Sequence, residues 1–298
     1  MSQELVKQAG IYAIPHDDYH ADPCEQPSLS AGIAQLLYER SPRHAWHAHP
    51  RLNPDYQNDN DRKFDVGTVA HALLLEGLDH AQCIEADDWR KKDTKAQAEE
   101  IRLAGKIPLL TKDYTTVKAM VESAKQAWRD CPDLKGYALE DCATEQTIVW
   151  AEDGAKSPIW LRSRPDAMSP DRRLFVDAKF TKTSANPDAF VVQIARMAYD
   201  MRGAFYLRGN AATGGAEDAK YVFLVAEAYP PYCAAFIGLD PAYMSLGASK
   251  TEAAIEIWAD CMDSGNWPGY FPRIHWASPP TWALAQIEAQ EIENWKGE

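Results

Sequence analysis

Residues 161–182 read LRSRPDAMSPDRRLFVDAKFTK, and the alternation within this stretch decides the fold. From Leu174 to Phe180 the side chains switch sides at every residue. Leu174, Val176, Ala178 and Phe180 share one face of an extended strand, and Phe175, Asp177 and Lys179 share the other. Asp177 and Lys179 are therefore neighbours on a strand whose opposite face is apolar. The preceding strand ends in RPDAM, which carries Asp166, and SPDRR between the two is turn-like. If Asp171 and Arg172 form a two-residue hairpin loop, Asp166 falls directly opposite Asp177. A different loop shifts the pairing.

Opposed carboxylates repel, and one of them tends to keep its proton unless something neutralises the pair. A divalent cation does so. Magnesium prefers oxygen ligands and typically uses one or two carboxylates with waters and phosphate. Lys179 beside the pair orients a water or neutralises charge building on a phosphate. Together these groups supply metal-assisted phosphodiester hydrolysis. The competing reading of the same residues is a solvated strand face with an Asp177–Lys179 salt bridge.

Outward from this hairpin, TEQTIVWAE and SPIWLRSRPDAM read as strands before it, and KYVFLVAEA and YCAAFIGLD as strands after it. A helical pattern runs from Pro187 to Arg208 and another from Ala242 to Asp263. Earlier, FDVGTVAHALLLEG predicts a helix from near Val66, with Thr68 as a cap and Gly77 as its end. Residues 93–130 read as helical, including Asp113–Arg129, and Pro132 stops them. Pro50–Arg62 is polar and loop-like, and TWALAQIEAQEIENW closes the chain as an amphipathic stretch. The fold class is α/β, with a mixed central sheet flanked by helices. No linker divides the chain. It reads as a single domain over 1–298, mainly helical over 1–140, with the catalytic sheet core over 141–240 and a helical part over 241–298.

The chain has 298 residues, 46% of them hydrophobic and 25% charged, as in a soluble globular protein. It has no apolar run of membrane-spanning length and no signal-peptide core, so a cytoplasmic protein without a membrane partner is expected. Its six cysteines show no CxxC spacing, which argues against zinc. They read as reduced thiols, mostly in apolar surroundings. The net charge is −13, yet Lys156–Gly209 holds ten Lys or Arg against five acids. A basic segment on an acidic body suits a confined polyanion channel, and it also suits ordinary fluctuation of charge along a chain.

RPDAM followed by VDAKFTKT resembles the core of the PD-(D/E)xK nuclease superfamily, and in particular its exodeoxyribonuclease VIII branch from phages and prophages. GIYAIPHDDYH with SLSAGIAQLL, GTVAHALLLEG, the tract from TEQTIVW to YVFLVAEA, and NWPGYFP resemble the same branch. The likeness spans nearly the whole chain. It implies a restriction-endonuclease-like sheet flanked by helices. It further implies Mg²⁺-dependent 5′→3′ digestion of linear double-stranded DNA in phage-type recombination, with Mn²⁺ as a substitute metal. A homo-oligomeric ring around DNA and a single-strand-annealing partner come with the resemblance too. Some relatives carry an iron–sulfur cluster with three ligands near the C-terminus. Only Cys261 lies in the last sixty residues here, so no cluster is expected.

By position, the resemblance implies Asp166 and Asp177 as metal carboxylates, Lys179 as the catalytic lysine, His71 as a further member of the metal site, and the Ala178 carbonyl as a metal ligand. On residues alone, His71 sits one turn from Gly67 and Leu75 on a partly apolar face and reads as a core histidine. Many relatives have Gln-xxx-Tyr on the helix after the DxK strand. Here the segment is RGAFY, with Arg202 in the glutamine position and Tyr206 kept. Arg202 and Tyr206 are expected to contact DNA, as are Arg162 and Arg164, which alternate onto the face of Asp166; surface salt bridges are the competing account for the latter two. Ser28 and Ser30 read as 5′-phosphate contacts or as helix caps. Glu145 and Glu76 are left outside the core site. Trp258, Trp267, Trp276, Trp282 and Trp295 are expected to pack C-terminal elements or to stack on bases. The alternative to a nuclease is a catalytically weakened DNA-binding or assembly protein on the same fold. A related nuclease of different substrate or polarity is the third reading.

Overall fold

The computed structural model describes residues 5–57 and 65–287. Residues 1–267 form one compact unit and 268–298 another. In chain order, the first unit contains β1 (Gly10–Tyr12), α1 (His16–His20), β2 (Leu29–Ser30), α2 (Ala31–Glu39), α3 (Pro42–Ala48), α4 (Asp65–Leu75), β3 (Ala81–Ile84), α5 (Lys92–Leu103), β4 (Ile107–Leu110) and α6 (Thr111–Asp130). It continues with β5 (Ala143–Thr144), β6 (Thr147–Glu152), β7 (Ile159–Ser163), β8 (Ala167–Met168), β9 (Leu174–Thr181), α7 (Pro187–Arg196), α8 (Tyr199–Ala212), β10 (Lys220–Glu227), β11 (Ala234–Gly238) and α9 (Pro241–Ser264).

The central mixed sheet has the order β11-β10-β9-β8-β5, with β9 and β10 parallel and the other neighbours antiparallel. Both faces of β9 are covered, which is why a parallel pair is stable here. Leu174, Val176 and Ala178 pack with α4 and α6 through Val69, Leu74, Val117 and Met120. Phe175 lies on the other face with Phe190, Ile194 and Phe205 of α7 and α8. Burying each of these aromatic rings contributes roughly 1.5–3 kcal/mol. The alternation predicted for LFVDAKF is thus realised with both faces buried.

A second sheet, β1-β6-β7-β2, shares a ribbon with the first. β6 pairs with β7, with Ile148 opposite Ser163, and β5 pairs with β8 in the same continuing register, with Ala143 opposite Met168. The two pairs are one long hairpin, bent where Pro165 interrupts the ladder and where Glu145 adopts a left-handed backbone (φ 53°). The Glu145 N–H donates to the Asp166 carbonyl at 3.1 Å and ties the bend together. SPIWLRSRPDAM is therefore two strands in two sheets, split at Arg164–Asp166.

The β8–β9 hairpin pairs Ala167 with Val176 and Met168 with Phe175, so continuing the register sets Asp166 opposite Asp177 as expected. The loop is longer than two residues. The Ser169 N–H donates to the Leu174 carbonyl at 2.9 Å, the Arg172 N–H donates to the Ser169 carbonyl at 2.9 Å, and Arg172 is left-handed (φ 58°). Widening the loop symmetrically keeps the register.

Two predicted helices are interrupted. Within 93–130, Ile107–Leu110 forms β4, because a four-residue apolar run has no helical signature distinct from a short buried strand. Within 187–208, the helix breaks at Ala198, whose backbone is left-handed (φ 47°). No Gly or Pro marks that break in the sequence. α4 starts at Asp65, which puts Thr68 inside the helix, and Gly77 (φ 67°) follows its end. α8 lies close to its neighbours through glycines. A Cβ at Gly209 would come within 2.6 Å of the Trp150 ring, and one at Gly247 of α9 within 2.2 Å of the Asp200 carbonyl.

Cys24 and Cys261 are buried, whereas Cys83 and Cys233 are exposed, contrary to a mostly packed set. Trp258 is buried and stacks edge-on with Trp267 at 5.3 Å. In the second unit a helix occupies 281–287, and Trp276 and Trp282 are exposed. The remainder of the predicted terminal helix, with Trp295, and the stretch 58–62 lie outside the described residues. Among the described residues no helix is long and apolar enough to cross a membrane.

Candidate active site

Three elements converge at the end of the bent hairpin. β9 supplies Asp177, Ala178 and Lys179, the bend supplies Glu145 and Asp166, and α4 supplies His71. Asp166 is fixed by the strand next to it: its Oδ2 accepts the Ala178 N–H at 2.7 Å. The His71 Nδ1 lies 3.6 Å from the same oxygen, and its ring stands edge-on to Phe180 at 5.4 Å. Burial lowers the pKa of His71, against the upward pull of Asp166. The imidazole is therefore biased toward the neutral form that ligates metals.

One ligand atom each from His71, Glu145 and Asp166 lies within 4.8 Å of the others. Burial, and next the charge of Asp166, raise the pKa of Glu145. Arg164 opposes this with a 2.6 Å bond from its Nε to Glu145 Oε2. Two carboxylates crowded together with an imidazole form an N/O donor set that fits Mg²⁺ or Mn²⁺ and whose repulsion such a cation relieves. Glu145 was not among the residues expected here. It enters because the β6–β7 register, continued through the bend, sets it opposite Asp166. Glu76 lines the same cavity but is not in this group.

Asp177 occupies a different position from the three donors. Its side chain is 1% exposed and forms an ion pair with Lys179, and its Oδ1 is 3.8 Å from an Arg202 nitrogen. Neither carboxylate oxygen accepts a hydrogen bond of good geometry. Burial draws the Lys179 ammonium down to about 7, while Asp166 holds it up. Its Nζ also donates to the Ala178 carbonyl at 3.3 Å, so that carbonyl, expected as a metal ligand, is engaged by the lysine.

A cavity of about 760 Å³ opens over His71, Glu145, Asp166 and Lys179, bounded also by Arg162, Arg164, Arg202 and Tyr206. Arg162 is only 3% exposed, and its guanidinium is held by Ser28 Oγ at 2.6 Å and Asp22 at 3.1 Å. Arg164 is held by Glu145 and by the Ile14 carbonyl at 2.5 Å. Both thus carry intramolecular partners at the cavity wall. Ser30 caps α2, accepting the Ile33 N–H at 3.4 Å, whereas Ser28 is buried in the Asp22 network. Tyr206 is largely buried in the cavity wall, and burial raises the pKa of its phenol.

Similarity to known proteins extends over most of the chain. Residues 38–275 match the family described as a PDDEXK-like domain of unknown function (DUF3799). No curated protein matches the chain. Among solved structures, a candidate exonuclease from Eubacterium rectale is similar in fold, with a TM-score of 0.57 at 12% identity over 92% of this chain and 98% of that one. A phage-related exonuclease from Haemophilus somnus 129PT matches at 14% identity with a TM-score of 0.27, over 66% of this chain and 95% of that one. The family match covers most of the chain, including the bent hairpin and the DAK strand: the chain belongs to the PDDEXK-like family.

Proposed function

We propose that this protein is a divalent-metal-dependent DNA nuclease, and specifically an exonuclease of the exodeoxyribonuclease VIII type that digests linear duplex DNA from its 5′ ends. The observation that carries this reading is the convergence of His71, Glu145 and Asp166 beside the Asp177–Lys179 pair of the PD…DxK motif. His71, Glu145 and Asp166 would hold the cation, which supplies Lewis-acid polarisation of a phosphate oxygen and a more acidic water. Asp177 anchors Lys179, and burial draws the pKa of that lysine down, which leaves its Nζ placed to orient a water or to neutralise charge building on a phosphate. The Ala178 N–H holds Asp166 in place, and Arg164 does the same for Glu145. On a chain of charge −13, the arginines around the cavity confine a polyanion to one place.

The exonuclease VIII type, the 5′→3′ polarity, a ring of copies around DNA, an annealing partner, phage-type recombination and a cytoplasmic setting belong to this proposal through the sequence resemblance. So does the view of 1–298 as one catalytic body. With Mg²⁺, linear duplex labelled separately at each end should lose its 5′ label first, and circular duplex should persist. Wild-type protein that leaves every end intact under Mg²⁺ and Mn²⁺ would end the proposal.

The second reading, a weakened DNA-binding protein, draws on the burial of Asp177 and its ion pair with Lys179. Metal binding separates the two. Under the nuclease reading, Mn²⁺ raises the melting temperature, and Glu145→Gln weakens Mn²⁺ binding by calorimetry about tenfold or more, because one anionic ligand is lost. Equal Mn²⁺ affinity in the variant would remove Glu145 from the ligand set.

A further inference from the structure

The abrupt start of α8 at left-handed Ala198 aligns Tyr199, Arg202 and Tyr206 along one helix face. Arg202 and Tyr206 of this face line the cavity over the three metal donors. Among the described residues, the Arg202 guanidinium donates no hydrogen bond. Its nearest carboxylate oxygen is 3.8 Å away, beyond hydrogen-bonding range, and that carboxylate already pairs with Lys179. The other two arginines that line this cavity have partners: Arg162 on Ser28 and Arg164 on Glu145.

Arg202 is two-thirds buried, with its guanidinium 5.8 Å from the centre of the Tyr199 ring; Lys179 approaches the same ring at 5.4 Å. A guanidinium has five donors, and leaving a charged group so enclosed with none of them used is costly. Such a group is preorganised for an anion that arrives in the cavity.

Resting on the nuclease reading, the geometry assigns to Arg202 a direct contact with the non-bridging oxygens of the phosphate being cleaved. In the hydrolysis, a water oxygen forms a bond to phosphorus as the P–O ester bond breaks. The departing oxygen keeps the bonding pair and takes a proton from solvent, and the attacking water gives up its own proton to a base. Negative charge is spread over the non-bridging oxygens throughout. The planar fork of Arg202 donates two parallel N–H groups to them. This contact tightens in the transition state and acts on kcat more than on KM. A glutamine amide in the same place would offer two uncharged N–H donors on a single nitrogen, so the arginine adds a fixed positive charge to the site rather than merely replacing a polar group.

The test compares wild type with Arg202→Ala, Arg202→Gln and Arg202→Lys on a short linear duplex. With Mg²⁺, Arg202→Ala and Arg202→Gln should lower kcat by about 10²–10³-fold with KM within a few-fold, and Arg202→Lys should fall between them and wild type. Added guanidinium ion should restore part of the Arg202→Ala rate and none of the loss in an Asp166→Ala control. In EDTA, fluorescence anisotropy should show weaker binding of the same duplex by Arg202→Ala, with the salt slope reduced by about one. An active wild type with Arg202→Ala cutting within about threefold of it, or an EDTA affinity unchanged by the variant, overturns the assignment and leaves the nuclease reading standing. A wild type inert on all DNA overturns the nuclease reading, and the EDTA arm then still decides whether Arg202 meets a phosphate.

Discussion

Asp166→Ala should lower DNA cleavage on the order of 10³-fold or more, with little loss of fold. The side chain has two separable roles. It accepts the Ala178 N–H at 2.7 Å, and it offers an oxygen to the group formed with His71 and Glu145. Asp166→Asn keeps an acceptor for the N–H but removes the charge that a divalent cation requires. If the chemistry lies here, the asparagine variant melts close to wild type, loses its stabilisation by Mn²⁺, and is as inert as the alanine variant. Asparagine and wild type cutting at comparable rates would show that the carboxylate is a structural acceptor only.

The largest effect on stability is expected at Asp22, away from the chemistry. Its side chain is completely buried. One oxygen accepts from Ser28 Oγ at 2.6 Å and lies 3.1 Å from Arg162, and the other accepts the Ser28 N–H at 2.8 Å and lies 3.3 Å from His49. Asp22→Asn keeps the shape but leaves the buried Arg162 charge without its counter-ion. Breaking a buried pair in this way costs about 3–5 kcal/mol. Urea unfolding of both proteins at pH 7 measures it, and a difference below about 1 kcal/mol would mean that Ser28 suffices to hold Arg162.

The pH dependence of that difference follows from the sign of the shift. Burial alone would raise the Asp22 pKa, but Arg162 and the hydrogen bonds from His49 and Ser28 outweigh it and hold the carboxyl below its ordinary value. A carboxylate depressed in the folded state contributes stability that is fully present above its unfolded pKa of about 4 and is lost as pH falls through the folded value. The gap between wild type and Asp22→Asn should therefore be level near neutrality and shrink in acid below about pH 4.

The central hairpin was legible in the sequence because strand alternation and turn chemistry are local. LFVDAKF declares its two faces residue by residue, and the Asp166–Asp177 register survived a wrong loop length because the loop widened by one residue on each side. Glu145 was illegible for the same reason that made the hairpin easy. Its place depends on the loop between β6 and β7, where Glu152 pairs with Ile159 across six residues, and the Asp153–Gly154 dipeptide marks a turn without fixing that span. The break at Ala198 carries no sequence signal, since an alanine at φ 47° is held there by packing against local preference. That one residue determines which way Arg202 points. Charge counting marks a basic segment but not the role of each arginine, because Arg162, Arg164 and Arg172 use their donors inside the protein.

One ribbon of backbone belongs to two sheets and folds over on itself at Glu145 and Asp166. Fraying either sheet would pull one of these acids away from His71. A molecule caught halfway through folding or unfolding would then hold an incomplete donor set, so cutting power appears only with the finished architecture. For a nuclease, that all-or-none dependence keeps a partly folded chain from cutting.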